Sequence, residues 1–338
     1  MSEAVRIVVG KLAGGERPGQ AEIGKAFEDI LGGQTEPTLI AAFLMGLRTR
    51  GETVDDIVAG ARVLRANARA VKAPAGAVDT CGTGGLSWTS LNTSTAAAFV
   101  AAGAGAVVAK HGNRSTPPKV GSADVLEALG VNLEPTDAQL EACFREARVA
   151  FMFARAHHSA MRHVAPVRAA LGIRTIFNML GPLANPAGAK RQVLGVFGPE
   201  WVEPYARALQ TLGSEAALVV HGRDGLDEIS TTGPTLVAEL RNGSIRTYDV
   251  TPEELGVKRV SLDALRGGTV AHNADAVGRV LQGEPGPFLE LVLVNAAGAL
   301  VVAGLAGGLP EGVEQARAAV ASGAAKAALE ALKKASHG

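Results

Sequence analysis

Four short stretches carry residue types suited to work on a small polyanion. Asp79-Thr80-Cys81-Gly82-Thr83-Gly84-Gly85 follows a strand-like run and precedes a helix-like one, Thr93 to Gly103. Glycines at such a turn let backbone N–H groups approach phosphate oxygens, and the helix N-terminus adds partial positive charge. The stretch lacks the Gly-Lys-Ser/Thr ending of a P-loop and the glycine spacing of the dinucleotide fingerprint, so a plain tight turn is an equal alternative. Asn92-Thr93-Ser94-Thr95 sets four side-chain oxygens at the start of the helix, where capping needs one. The others are candidates for phosphate or metal-bound water. Lys110-His111-Gly112-Asn113-Arg114-Ser115 follows a second apolar run, at the strand end where open α/β sheets bind ligands. In His221-Gly222-Arg223-Asp224-Gly225-Leu226-Asp227-Glu228 the carboxylates read either as a solvated turn or as oxygen ligands for magnesium, with a phosphate substrate completing the coordination.

Charge placement bears on the same stretches. The chain has 33 Lys plus Arg and 33 Asp plus Glu, a net charge of zero that argues against a nucleic acid or an anionic membrane as the main partner. Yet the 44 residues from Thr80 to Ala123 hold no acid, and neither does 147–199, with seven Lys or Arg. Chance clustering is one explanation, and a cleft for a small polyanion is the other. No Cys/His zinc set and no Ser-His-Asp signature appears, Cys81 and Cys143 having no partner at ligand spacing. His157 and His158 are expected to pack or cap locally.

Positioning these loops requires an α/β frame. Strand-like runs at 77–80, 106–109, 150–153, 193–197 and 216–220 alternate with helical stretches, predicting a mostly parallel sheet. Runs at 235–240 and 244–250 flank Asn242-Gly243, a hairpin signal. Residues 1–72 show helical spacing, with Thr53 and Asp56 as a capping box, and predict a bundle of about four helices. A further helical segment, 159–171, has no evident place in the sheet and is expected to return to the bundle with the residues up to 188. The fold class is therefore a small all-helical domain, 1–72, beside a larger α/β domain, 73–338. The apolar run 291–309 reads as a buried helix rather than a membrane span because it is rich in Ala and Gly and contains Asn295. Few cysteines and no signal-like start point to the cytoplasm.

Taken together, GTGG at 82–85, NTST at 92–95, KHGNRS at 110–115, GSADVLEALG at 121–130, HVAPVR at 163–168, RTIFNMLGPLANPAG at 174–188 and HGRDGLDEIS at 221–230 resemble the anthranilate phosphoribosyltransferases. The resemblance implies a phosphoribosyl pyrophosphate (PRPP) site from Gly82, Thr83, Gly84, Gly85, Ser90, Asn92, Thr93, Ser94, Thr95, Lys110, His111, Gly112, Asn113, Arg114, Ser115, Thr116 and Ser122. It implies anthranilate contacts from Gly82, Asn113 and Arg168, and Mg2+, two ions with bound PRPP, organised by Ser94, Asp227 and Glu228. No residue is assigned as a general acid or base. It also implies a homodimer through the helical domain, acting in tryptophan biosynthesis. One departure stands out: the family has Asp directly after GTGG, and here the residue is Leu86. Thr116-Pro117-Pro118 also replaces small hydroxyl residues and removes two backbone donors.

Two other functions remain open on the sequence. A pyrimidine nucleoside phosphorylase-like enzyme would share the fold and the phosphate loop, but the KHGN and GPLANP stretches and the Asp227-Glu228 pair disfavour it. A catalytically weak relative that binds nucleic acid would need a basic face, which zero net charge disfavours.

Overall fold

The computed structural model describes residues 2–84, 86, 88–115 and 119–338. Helices α1 (Glu3–Ala13), α2 (Gln20–Leu31), α3 (Pro37–Arg50) and α4 (Val54–Ala66) form an N-terminal bundle. The α4 start is a capping box: the Thr53 N–H donates to Asp56 Oδ2 at 2.8 Å and the Asp56 N–H to Thr53 Oγ1 at 3.3 Å. Beyond the bundle run β1 (Val78–Gly82), α5 (Thr93–Gly103), β2 (Val108–Gly112), α6 (Ser122–Ala128), α7 (Asp137–Ala142), β3 (Val149–Phe153), α8 (Ala154–His157), α9 (Ala165–Leu171) and α10 (Phe177–Leu180). The chain continues through β4 (Arg191–Gly195), α11 (Val202–Thr211), β5 (Ala216–Gly222), β6 (Thr235–Arg241) and β7 (Ser244–Val250), and closes with α12 (Val270–Leu281), α13 (Pro287–Ala303), α14 (Leu309–Ala321) and α15 (Ala324–His337).

One seven-stranded sheet has the order β3-β2-β1-β4-β5-β6-β7, parallel from β3 to β5 and antiparallel at the β6–β7 edge. Side chains on its inner strands alternate between two cores, as a period of two requires. Val193, Leu218, Val220 and Val237 join the core beneath α5, α12, α13 and α15. Leu194, Ala217, Val219 and Ala238 join the opposite core with α11 and the helical bundle. Segment 160–184 takes no part in the sheet. It packs into the second core, where the Phe177 ring meets Phe27 edge-on at 5.6 Å and Phe27 meets Phe43 at 5.2 Å. Buried Asn295 lies within α13, and no helix among the described residues is long and apolar enough to cross a membrane.

Candidate active site

Successive strands are laid down on opposite sides of β1: β2 and β3 on one, β4 and β5 on the other. The order reverses between β1 and β4, and the space beyond their C-terminal ends is where open α/β sheets hold ligands. Gly82 and Gly195 are register partners at this point, and the Thr83 N–H donates to the Gly195 carbonyl at 2.9 Å. The loops after β1, β2 and β5 converge here, each carrying one of the stretches singled out above.

Lys110 enters from β2. Its side chain is buried, and Nζ donates to the Thr80 carbonyl at 2.7 Å and to Ser94 Oγ at 3.2 Å. Burial lowers its pKa, and Asp79, Cys81 and Glu228 pull it back up. Asp79 lies wholly buried below; one oxygen accepts the His111 N–H at 3.1 Å, and desolvation raises its pKa. The ammonium is thereby fixed by neutral acceptors beside the start of α5, leaving its charge incompletely compensated.

Asp227 and Glu228 arrive on the loop after β5. Burial followed by repulsion from Asp227 pushes the Glu228 carboxyl up to about 8, against Lys110 and the Ser94 N–H, which lower it. Burial likewise raises Asp227, opposed by backbone donors including Gly84. A Cβ built on Gly82 would stand 2.9 Å from Asp227 Oδ2, so the absence of a side chain on the first loop leaves room for the carboxylate on the other. Adjacent carboxylates that resist ionisation are deficient in positive charge, and the Ser94 hydroxyl lies alongside. That donor set fits a hard divalent cation whose remaining ligands come from pyrophosphate and water. Among the described residues no group of three or more His, Cys, Asp or Glu could hold a metal ion.

On α9, in the returning segment, the Arg168 guanidinium lies 5.9 Å from the Phe177 ring centroid, its pKa lowered by burial. A desolvated guanidinium of this kind suits a bidentate carboxylate. Arg174 stacks on the Phe197 ring at 3.7 Å, with Asp227 among the charges acting on it. His111 and His158 pack ring to ring at 5.1 Å between the β2 loop and the helical layer; burial first, and neighbouring histidines second, lower them to about 3 and about 4. Both are neutral packing groups at pH 7. His157 Nδ1 bonds the Arg69 carbonyl at 2.9 Å, a packing contact made across 88 residues of chain rather than locally.

Comparison with known proteins decides the family. Residues 7–68 match the model described as "Glycosyl transferase family, helical bundle domain", and residues 74–326 match "Glycosyl transferase family, a/b domain". The anthranilate phosphoribosyltransferase of Parvibaculum lavamentivorans is 54% identical over 333 residues, covering 98% of each chain. That of Rubrobacter xylanophilus is 53% identical, covering 98% of this chain and 96% of the relative. The crystal structure of the Thermus thermophilus enzyme superposes with a TM-score of 0.92 at 44% identity, over 98% of this chain and 99% of that one. The chain belongs to the anthranilate phosphoribosyltransferase family. A Saccharomyces cerevisiae member in complex with PRPP and Mg matches with a TM-score of 0.90 at 27% identity, covering 99% of both chains.

Against the family pattern, the structure places the expected residues unequally. Gly82, Thr83, Gly84, Ser90, Asn92, Ser94, Lys110, Gly112, Asn113, Ser115 and Ser122 lie on the converging loops and strand ends, whereas Thr93 and Thr95 are 2% and 1% exposed and turn into the core. Helix α5 is buried on nearly every side, so its first-turn hydroxyls point in different directions rather than all toward the loops. The Arg114 guanidinium is held by Asp124 at 2.9 Å and by Glu127 with two bonds of 2.8 Å, so its charge is spent on acids just past the acid-free window. Lys190 and Arg191 of the second window face Glu215 at the opposite end of the sheet. The two acid-free windows therefore do not form one continuous basic surface: Lys110 and Arg174 stand near the Asp227-Glu228 loop, while Arg114, Lys190 and Arg191 are paired with acids elsewhere. Leu86, where the family has Asp, is half-buried with Trp88 against the main core, and the Arg266 guanidinium lies 5.5 Å from the Trp88 ring centroid. Gly85 and Thr116, both expected at PRPP, lie outside the described residues, as do Pro117 and Pro118. The sequence marks Asp79 and Asn295 without giving them a role at the site, and Asn273, which also bonds into it, carries no sequence signal beyond its type.

Proposed function

We propose that this chain transfers the phosphoribosyl group of PRPP to the amine of anthranilate, giving N-(5-phosphoribosyl)anthranilate and pyrophosphate in tryptophan biosynthesis. The observation that carries the reading is the meeting of Lys110, Ser94 and the Asp227-Glu228 pair at the β1–β4 reversal. An aniline nitrogen is neutral at pH 7, so no strong base is needed to create the nucleophile. The reaction needs alignment of the amine with C1 of the ribose and neutralisation of the leaving pyrophosphate as the sugar gains oxocarbenium character.

Lys110, the 82–84 backbone, Asn92 and Ser94 bind the phosphates. Arg168 holds the anthranilate carboxylate, with Asn113 as a second contact. Asp227 and Glu228, with Ser94, hold Mg2+, two ions in the family pattern, which supplies positive charge on the pyrophosphate. The His111–His158 layer keeps water from the face between the β2 loop and the helical segment. Anthranilate fluorescence lost only when PRPP and Mg2+ are both present tests the reading; no loss at saturating substrates overturns it.

The assembly is a cytoplasmic homodimer through the helical domain. Ile7 on α1 and Met45 on α3 support this, being 47% and 38% exposed on a domain whose other large apolar side chains are mostly covered. Light scattering at the monomer mass would overturn it.

A further inference from the structure

Two asparagines on the C-terminal helices grip the two halves of the site from behind. Asn273, on α12, is fully buried. Its Nδ2 donates to the Ser90 carbonyl at 3.0 Å and to Asn92 Oδ1 at 2.8 Å, and its Oδ1 accepts the Gly268 N–H at 2.8 Å. Asn92 passes the restraint on, donating from Nδ2 to the Val120 carbonyl at 3.2 Å. Two backbone bonds run beside this clasp, from the Gly267 N–H to the Thr89 carbonyl at 2.8 Å and from the Leu91 N–H to the Leu265 carbonyl at 3.4 Å. Asn295, on α13 and 2% exposed, holds both backbone groups of Ile229, the residue after Glu228. Its Oδ1 accepts the Ile229 N–H at 2.9 Å, and its Nδ2 donates to the Ile229 carbonyl at 2.9 Å and to the Leu291 carbonyl at 2.8 Å.

Each amide has both its donors and its acceptor engaged, by the loop it holds and by one group of its own segment, Gly268 for Asn273 and Leu291 for Asn295. An asparagine is suited to this because it offers a donor and an acceptor from one rigid plane and carries no charge to disturb neighbouring carboxylates. Gly298, one helical turn on from Asn295, lets α13 settle against the same loop: a Cβ there would stand 3.1 Å from Ile229 Cδ1 and 3.3 Å from Val193 Cγ2. The two clasps touch different loops and share no partner.

We infer that Asn273 and Asn295 are positioning residues with separate duties, Asn273 setting the phosphate-binding loop through Ser90 and Asn92, and Asn295 setting the Asp227-Glu228 pair through the Ile229 backbone. The inference rests on the PRPP and Mg2+ reading above and assigns a different loss to each residue. Removing a bonded support of this kind costs on the order of tenfold in affinity for the group it orients.

Calorimetric binding of PRPP, with and without saturating Mg2+, separates these duties without relying on turnover. Asn273→Leu keeps the volume and loses the bonds; it is expected to weaken PRPP about tenfold whether or not metal is present. Asn295→Leu is expected to leave metal-free PRPP binding unchanged and to remove most of the increment that Mg2+ adds. Where a Leu variant does not fold, Asn→Ser at the same position, shorter but able to make one bond, is expected to show the same pattern at smaller size. Equal losses in both variants under both conditions would reduce the asparagines to general packing and overturn the inference, as would wild-type behaviour. A wild-type protein that binds no PRPP would instead overturn the functional reading itself.

Discussion

The backbone of Asp227 runs directly against Gly195, so closely that a methyl group on Gly195 would overlap the Asp227 carbonyl. One end of β4 thus sets the height of the carboxylate pair above the sheet. Gly195→Ala is expected to destabilise the fold by about 1–3 kcal/mol through overpacking and to displace Asp227. Its Mg2+ requirement should rise more than its anthranilate KM. A metal titration matching wild type would show that the loop repacks without moving the carboxylates.

Proton and metal compete for Glu228. With its carboxyl at about 8 in the metal-free protein, binding Mg2+ must expel a proton below that pH. Affinity for Mg2+ in the presence of PRPP is expected to rise about tenfold per pH unit on approaching pH 8 and to level off above it. Glu228→Gln should flatten the slope and weaken binding throughout. The same shift has a stability sign: the folded state holds the proton more tightly than an unfolded glutamate at 4.5, so metal-free stability falls as pH rises from 4.5 to about 8. Calorimetry at several pH values checks the slope, and a pH-independent affinity would contradict it.

Arg168 is desolvated over Phe177 and is expected to carry most of the carboxylate recognition. Arg168→Ala should raise the anthranilate KM by about 10- to 100-fold, the equivalent of losing about 1.5–3 kcal/mol of charged hydrogen bonding, while the PRPP KM changes little. Steady-state kinetics with an unchanged anthranilate KM would move the carboxylate elsewhere.

Acid sensitivity should arise at the His111–His158 contact. Both rings stay neutral in the fold down to about 3 and about 4, while the unfolded chain takes up protons from 6.5 downward. Their contribution is therefore complete above 6.5 and is lost as pH falls below it, by about 1.4 kcal/mol per pH unit for each ring. His158→Gln is expected to shallow the fall of the melting temperature between pH 6.5 and 4; an unaltered slope would show that the His158 ring accepts a proton in the fold.

Strand positions and the 242–243 hairpin were legible in the sequence because alternation, apolar runs and Asn-Gly are local signals. The loops of the site were legible for the same reason: glycines, hydroxyls and Lys110 occur where strands end. Which of Asn92, Thr93, Ser94 and Thr95 face the ligand was not, since that depends on how α5 is rotated against α13. The pairing of Arg114 with Asp124 and Glu127 was not legible either, because those acids meet it only when α6 folds back. The duties of Asn273 and Asn295 were not legible for a deeper reason: Asn295 reads only as a polar residue in a buried helix, Asn273 as one polar residue of an amphipathic one, and their partners lie 183 and 66 residues away.

The excursion of segment 160–184 into the second core ties the two domains by more than one strand of chain. Cutting after residue 72 would strip Phe177, Leu180 and Leu183 from Phe27 and Phe43, leaving the four-helix piece with an open apolar wound. The helical unit is therefore not a detachable module but a shape that the chain must visit twice. Several crossings of the chain, with a shared core between them, restrain the two parts against each other more than a single tether would.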